Sequence, residues 1–207
     1  MICYDEVMKI TPVLFDADGV LTLPEEVFSL VYTRSRGLDI KPFEQFFRNN
    51  WPAIVTGKKD LKESIAEKPE LWQWDGSAEE LLNYWFKTED VRNDKLLALI
   101  SELRTKGVPC YLATEQERYR GEYVQNVMFK NQFDGYFITA DLGVTKANPK
   151  FFEIIIDRLK LTYPSLEPQD IVFFDDSQSK IDTALSLGIN AQLYKGVERV
   201  QVLLPKH

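Results

Sequence analysis

Short apolar runs alternate with helix-period segments along most of this chain, and that alternation restricts the fold more than any other feature. The runs cover 11–15, 108–113, 135–139, 171–174 and 189–194. Each has the length of a buried strand rather than of a helix. The segments between them read as helices. Residues 93–106 carry leucines at 96, 97, 99 and 103 and end at Gly107, one amphipathic helix with a glycine stop. Residues 116–130, 149–159, 179–187 and 198–204 follow. Asn148 is placed to cap the 149–159 helix, with Pro149 at its first position, and Gly188 stops the next one. Strands joined through helices run parallel and cross over right-handedly. The pattern predicts an α/β fold, a doubly wound parallel sheet.

One tract breaks the alternation. Residues 25–86 read as a long helical stretch with no strand, placed between the first strand and the next crossover helix. Ser77-Ala78-Glu79-Glu80 is a capping box at the head of a helix carrying Leu81, Leu82 and Trp85. An all-helical insertion after the first strand overhangs the strand ends, as a lid would. The expected organisation is an α/β core from 1–22 and 88–207 and a helical cap from 23–87.

Composition excludes several classes. The 207 residues carry a net charge of −7, which repels phosphate backbones and anionic membrane surfaces. The expected partner is a small molecule, neither nucleic acid nor membrane, with the chain a monomer or homodimer. No apolar run approaches the ~18 residues of a membrane span. The N-terminus carries Asp5 and Glu6 and lacks the basic and apolar regions of a signal peptide. Cys3 and Cys110 form no metal-ligand pattern, so a cytoplasmic protein with reduced thiols is expected. His207 is the sole histidine, which removes Ser-His-Asp triads and histidine zinc sites from consideration.

Polar residues follow four of the apolar runs. Asp16 and Asp18 follow the first, Thr114 the second, Lys146 lies in the loop after the third, and Asp175-Asp176 follow the fourth. In a doubly wound sheet these positions meet outside the strand C-termini, where such folds bind ligands. Each has a plainer reading. Asp-x-Asp-Gly is a common turn or calcium-loop fragment. The Asp175-Asp176 pair suits a helix N-terminus. Thr114 with Glu117 forms a capping box. Lys146 competes with Lys150 as a loop lysine. The ordered set outweighs these readings taken singly.

Four motifs carry a resemblance to a known family: DADGVLT at 16–22, Thr114 in LATEQ, Lys146 in DLGVTKANPKFFE, and VFFDDSQSKIDTALSLGI at 172–189. Together they resemble the haloacid dehalogenase-like (HAD) superfamily, in a subfamily IA-like phosphatase form with a helical cap. The tract 140–189 is most similar to bacterial sugar-phosphate phosphatases and the phosphatase domain of epoxide hydrolases. The resemblance implies a Rossmann-like core and a magnesium-dependent phosphatase acting on a small phosphorylated metabolite, with a sugar phosphate favoured. Asp16 would be the nucleophile, giving an aspartyl-phosphate. Magnesium would be held by Asp16, the backbone carbonyl of Asp18, and Asp176, with Asp175 adjacent. Asp18 would serve as acid and then base, with a pKa raised toward neutrality. Gly19, Thr114, Glu115 and Lys146 would surround the phosphate, with Thr114 and Lys146 holding its oxygens.

Three departures from the family pattern stand out. Glu115 replaces a small or amide residue, Ala147 replaces a proline, and Lys180 with Asp182 occupies a stretch that usually holds asparagine. The alternatives are a phosphoglucomutase-like phosphotransferase and a catalytically weak phosphate-binding or regulatory protein, the latter resting on Glu115. In the insertion, Arg34, Arg36, Trp51, Lys58, Lys59, Trp72 and Trp74 are candidate substrate contacts, against the plainer reading of core aromatics and solvated cations.

Overall fold

The computed structural model describes residues 10–204. Cys3, Asp5, Glu6 and His207 lie outside that range. The elements run β1 (Val13–Phe15), α1 (Phe28–Arg36), α2 (Ile40–Ile54), α3 (Leu61–Ala66), α4 (Pro69–Trp72), α5 (Ala78–Thr88), α6 (Asp94–Thr105), β2 (Cys110–Thr114) and α7 (Arg118–Tyr123). They continue as β3 (Gly135–Ile138), α8 (Thr139–Leu142), α9 (Pro149–Thr162), β4 (Val172–Asp175), α10 (Gln178–Ser186), β5 (Asn190–Leu193) and α11 (Val197–Leu203).

The strands form one sheet in the order β3-β2-β1-β4-β5, with every pairing parallel. This is the doubly wound α/β sheet that the alternation predicts. The chain steps from β1 outward to β2 and β3, then returns to place β4 and β5 on the other side of β1. The order therefore reverses at β1, and ligands bind at the carboxyl ends of such a switch point. Strand alternation divides the core. Val13, Phe15, Leu112 and Phe174 face one apolar layer with Leu96, Ile100, Met128 and Val200. Leu14, Ala113 and Phe173 face the other, with Phe152, Ile155, Ile181 and Ala184. Burial on both faces explains why these strands read as unbroken apolar runs.

The 25–86 stretch is helical as expected and holds five helices. Asp39 and Asp60 cap α2 and α3, and Ser77 with Glu80 forms the expected capping box on α5. The five helices share an aromatic core of their own. Trp72 is 1% exposed and meets the edges of Phe43 and Phe46 at centroid distances of 5.1 and 5.4 Å. The Tyr32 hydroxyl donates to the Trp72 carbonyl. Burying each such ring contributes roughly 1.5–3 kcal/mol, so short helices that are weak alone hold together. The two connections to the core lie side by side. Leu23 N–H donates to the Val91 carbonyl at 2.8 Å, and Asn93 N–H donates to the Leu21 carbonyl at 2.8 Å.

Two local readings change. Thr114 ends β2 rather than capping a helix, and the cap of α7 is Glu117, whose carboxylate accepts from the Tyr119 and Arg120 amides. The strand extends to Thr114 because it pairs with Ile138 of β3, a contact that local sequence does not reveal. The predicted helix over 116–130 is split, with α7 giving way to a wider π-type turn at Val124–Met128. Cys110 is buried, and burial pushes its thiol up to about 12. No helix among the described residues is long and apolar enough to cross a membrane.

Candidate active site

The sheet delivers the strand-end residues to one cavity of about 660 Å³, lined by Asp16, Asp18, Gly19, Thr114, Glu115, Lys146, Asp175, Asp176 and Lys180 together with Trp51 of the insertion. Asp16 immediately follows β1, and Asp175 ends β4. Those two strands are neighbours, with Phe15 opposite Phe174. The register therefore sets two acids side by side.

Lys146 is 2% exposed and lies between them. Its Nζ is 2.6 Å from Asp16 Oδ1 and 2.7 Å from Asp175 Oδ2. Asp175 also accepts the Ser177 amide at 2.8 Å, and Asp16 accepts the Ala17 amide at 2.7 Å. Burial pushes the Asp16 carboxyl up to about 7; Lys146 opposes that shift, while Asp175 and Asp18 add to it. Burial works to lower the Lys146 ammonium, but the two carboxylates outweigh it and raise the pKa, so Lys146 carries its charge. Asp176 is raised by its partial burial and by Asp175.

Carboxylate oxygens of Asp16, Asp175 and Asp176 lie within 4.8 Å of one another. An anionic, all-oxygen donor set of this kind fits a hard divalent cation. Gly19 keeps the set in place. It has φ +78, and a Cβ there would sit 2.1 Å from Asp176 Oδ2, so only glycine satisfies both the backbone and the neighbouring acid. Its own amide is taken by the Thr22 carbonyl at 2.9 Å.

The Asp18 carboxylate lies outside this trio. It accepts from Thr22 Oγ1 at 2.8 Å, Gln116 Nε2 at 2.7 Å and Arg120 Nη2 at 3.1 Å. Desolvation in the cleft would raise its pKa, but Arg120 and the hydrogen bonds from Gln116, Thr22 and Arg120 prevail and hold it below the ordinary carboxylate value. The raised Asp18 expected from sequence is thus reversed, because a guanidinium from 102 residues away sits against it. Thr114 is buried beside them, and its Oγ1 accepts from Gln116 Nε2 at 3.3 Å.

Two of the departures meet in space. Lys180 Nζ is paired with Glu115 Oε2 at the cavity wall, so the unexpected acid faces an equally unexpected base. Lys150, the competitor of Lys146, points to Glu153 on its own helix. Of the insertion candidates, Trp51 alone lines this cavity. Trp72 is buried in the aromatic core, Arg34 pairs with Glu26, and Lys59 with Glu67. Arg36 stacks over Tyr32 and Trp74. Gln116, Arg120 and Glu89 were not singled out by sequence. The glutamine two residues after Thr114 was the one available clue.

A model of the haloacid dehalogenase-like hydrolase family matches residues 10–188. The chain belongs to that family. Among known proteins, a "Phosphorylated carbohydrates phosphatase" of Thermotoga maritima is 23% identical over 86% of this chain and 81% of its own length. "Acyl-CoA dehydrogenase family member 10" of Mus musculus is 30% identical over 44% of this chain, which spans only 8% of the mouse protein. The fold matches a HAD family enzyme from Bacteroides thetaiotaomicron with a TM-score of 0.77 at 17% identity, covering 95% of this chain and 99% of that one. Another structure of that enzyme, in complex with magnesium and inorganic phosphate, matches with a TM-score of 0.76 at 19% identity, over 94% of this chain and 100% of that one.

Proposed function

We propose that this HAD hydrolase is a magnesium-dependent phosphatase that cleaves a small phosphorylated metabolite through an aspartyl-phosphate on Asp16. The observation that carries the reading is the division of labour at the end of β1. Asp16 sits among three clustered carboxylates against a buried lysine, while Asp18, two residues on, is held apart by Thr22, Gln116 and Arg120. That separation supports a reading in which one acid attacks and the other moves a proton. The relatives that are named for phosphatase activity or hold phosphate and magnesium support the same chemistry.

In this mechanism an Asp16 oxygen bonds to phosphorus as the ester O–P bond breaks. Asp18 gives its proton to the leaving oxygen. It then takes one from the water that attacks phosphorus, which frees Asp16 and inorganic phosphate. Arg120 and its neighbours hold Asp18 ionised in the free protein, so Asp18 takes up a solvent proton as the phosphate dianion, whose like charge raises its pKa, enters the cavity. Lys146 and Thr114 hold the phosphoryl oxygens. Asp16, Asp176 and the Asp18 carbonyl, with Asp175 beside them, would hold magnesium, which would supply the charge neutralisation that attack on a dianion requires.

Residues 23–87 act as the cap over a core of 1–22 and 88–207. Between them a cleft of about 550 Å³, sharing Asp18, Val27, Trp51 and Glu89 with the cavity above, is walled by Phe47, Trp51 and Trp85, with Gln116 and Arg120 among its polar groups. An apolar wall with a few polar groups is the usual make-up of a small-ligand site. It suits a ring with apolar faces and hydroxylated edges, which supports a sugar phosphate. Asp16→Asn, with its fold intact by circular dichroism, is expected to abolish phosphate release from p-nitrophenyl phosphate in magnesium; retained turnover refutes the mechanism. A panel of phosphorylated metabolites then ranks the substrates.

A further inference from the structure

Arg120 is 3% exposed, yet it comes from α7, far in sequence from every motif residue but Thr114. Its Nη2 donates to Asp18 Oδ1 at 3.1 Å, and its Nη1 donates to Glu89 Oε2 at 2.7 Å. Glu89 caps the C-terminus of α5, where the insertion returns to the core. Its other oxygen, Oε1, accepts the Phe28 amide at 2.7 Å, at the first residue of α1, where the insertion begins. One buried guanidinium thus joins Asp18 to both ends of the insertion. Its Nε is buried and has no hydrogen-bond partner among the described residues, so the two carboxylates are what orient it. The arrangement is asymmetric in energy. A buried charge that loses its partner is costly, and the buried charge here is Arg120, so its two carboxylate partners fix where the guanidinium lies.

Building on the phosphatase reading, we propose that Arg120 is a positioning residue. It fixes the Asp18 carboxylate toward the leaving-group side of the cavity and, through Glu89, makes that orientation depend on how the helical insertion is seated. Arg120 is not among the residues lining the cavity that holds Asp16 and Lys146, and it acts on the phosphate through Asp18. The two chemical steps use Asp18 unequally. Transfer from an aryl phosphate expels a phenolate that leaves without a proton, so phosphorylation of Asp16 proceeds with little help from Asp18. An alkyl phosphate expels an alkoxide that takes the Asp18 proton. Hydrolysis of the aspartyl-phosphate needs Asp18 as base whichever ester formed it. A positioned acid–base group supplies about 10²–10⁴-fold, and a displacement of the order of 1 Å can cost about 10²-fold.

The test is rapid-quench and steady-state kinetics on the full chain with magnesium, comparing wild type, Arg120→Gln, Glu89→Gln and Asp18→Asn. With p-nitrophenyl phosphate, Arg120→Gln is expected to lower kcat by about 10- to 100-fold. Its kcat/KM stays within about threefold because KM falls with kcat, and a nitrophenol burst appears as the phosphoenzyme accumulates. With an alkyl phosphate, kcat/KM falls as well. Glu89→Gln, which leaves Arg120 and Asp18 in contact, moves in the same direction by less. Adding Arg120→Gln to Asp18→Asn brings no further loss in the dephosphorylation rate, since the two act as one unit. If Arg120→Gln does not fold, Arg120→Lys and Glu89→Gln carry the same comparison, because a single ammonium cannot bridge both carboxylates as the fork does. Equal losses in kcat/KM for aryl and alkyl esters without a burst, or an additive loss on Asp18→Asn, overturn the inference while leaving the phosphatase reading intact. A wild-type protein that forms no phosphoenzyme and releases no phosphate overturns that reading, and the role of Arg120 with it.

Discussion

Replacing Lys146 by methionine keeps the length of the side chain and removes its charge from between Asp16 and Asp175, which approach Nζ to 2.6 and 2.7 Å. Three carboxylates then share a space less than 4.8 Å across with no cation among them. Breaking a buried ion pair from one side costs about 3–5 kcal/mol. For a chain of 207 residues, each kcal/mol moves the melting temperature by about 2–4 °C. The expected loss without metal is therefore about 6–20 °C. The acids can relieve part of the cost by binding protons. Their folded-state pKa values then lie above the unfolded ones, so this relief is complete at low pH and is lost as pH rises through the folded values. The deficit should be small at pH 6 and large at pH 8. Magnesium supplies the missing charge, and at about 100 times its dissociation constant it returns about 2.7 kcal/mol, a larger gain than wild type shows because no lysine competes for the acids. Differential scanning calorimetry at both pH values, with EDTA or with magnesium, measures all of this. A metal-free loss under about 3 °C at pH 8, or a loss that does not change with pH, would refute the account of Lys146 as the counter-charge of this cluster.

Wild type should carry a weaker form of the same signature. Asp16 is raised from 3.8 to about 7 by burial, so its contribution to stability is full below about pH 4 and is lost as pH rises to about 7; melting in EDTA should drop between about pH 4 and 7 and level off above, and magnesium should flatten the curve. Gly19→Ala forces a strained φ of +78 and a Cβ at 2.1 Å from Asp176 Oδ2, and should cost about 1–3 kcal/mol and weaken magnesium binding by calorimetry at least about tenfold. Lys180→Ala leaves the Glu115 charge unpaired in the cavity, so kcat/KM should fall. Glu115→Gln added to Lys180→Ala should recover most of that loss, with a coupling of about 0.5–3 kcal/mol; strict additivity of the two substitutions would show that the pair does not act together.

The alternation of apolar runs and helical segments determined the parallel sheet, because strands buried on both faces must be apolar throughout and helices must supply the crossovers. The Asp16, Thr114, Lys146 and Asp175-Asp176 positions were legible for the same reason. Each lies at the end of a core strand or in the stretch just beyond it, and parallel strands end at one edge. Of the five helices of the insertion, only the one headed by Ser77 was separable in sequence. Their boundaries depend on caps such as Asp39 and Asp60 and on which aromatic rings pack together. The plainer reading of Thr114 as a helix cap fails because of its strand pairing with Ile138, a contact between segments. The Lys180–Glu115 pair, and the chain from Asp18 through Arg120 and Glu89 to the Phe28 amide, belong wholly to tertiary structure. Local sequence states which residues leave the core at a strand end; it does not state which distant charge will be buried against them. That second fact sets the pKa of Asp18, because the field at a carboxylate comes from its neighbours in space, and folding alone chooses those neighbours.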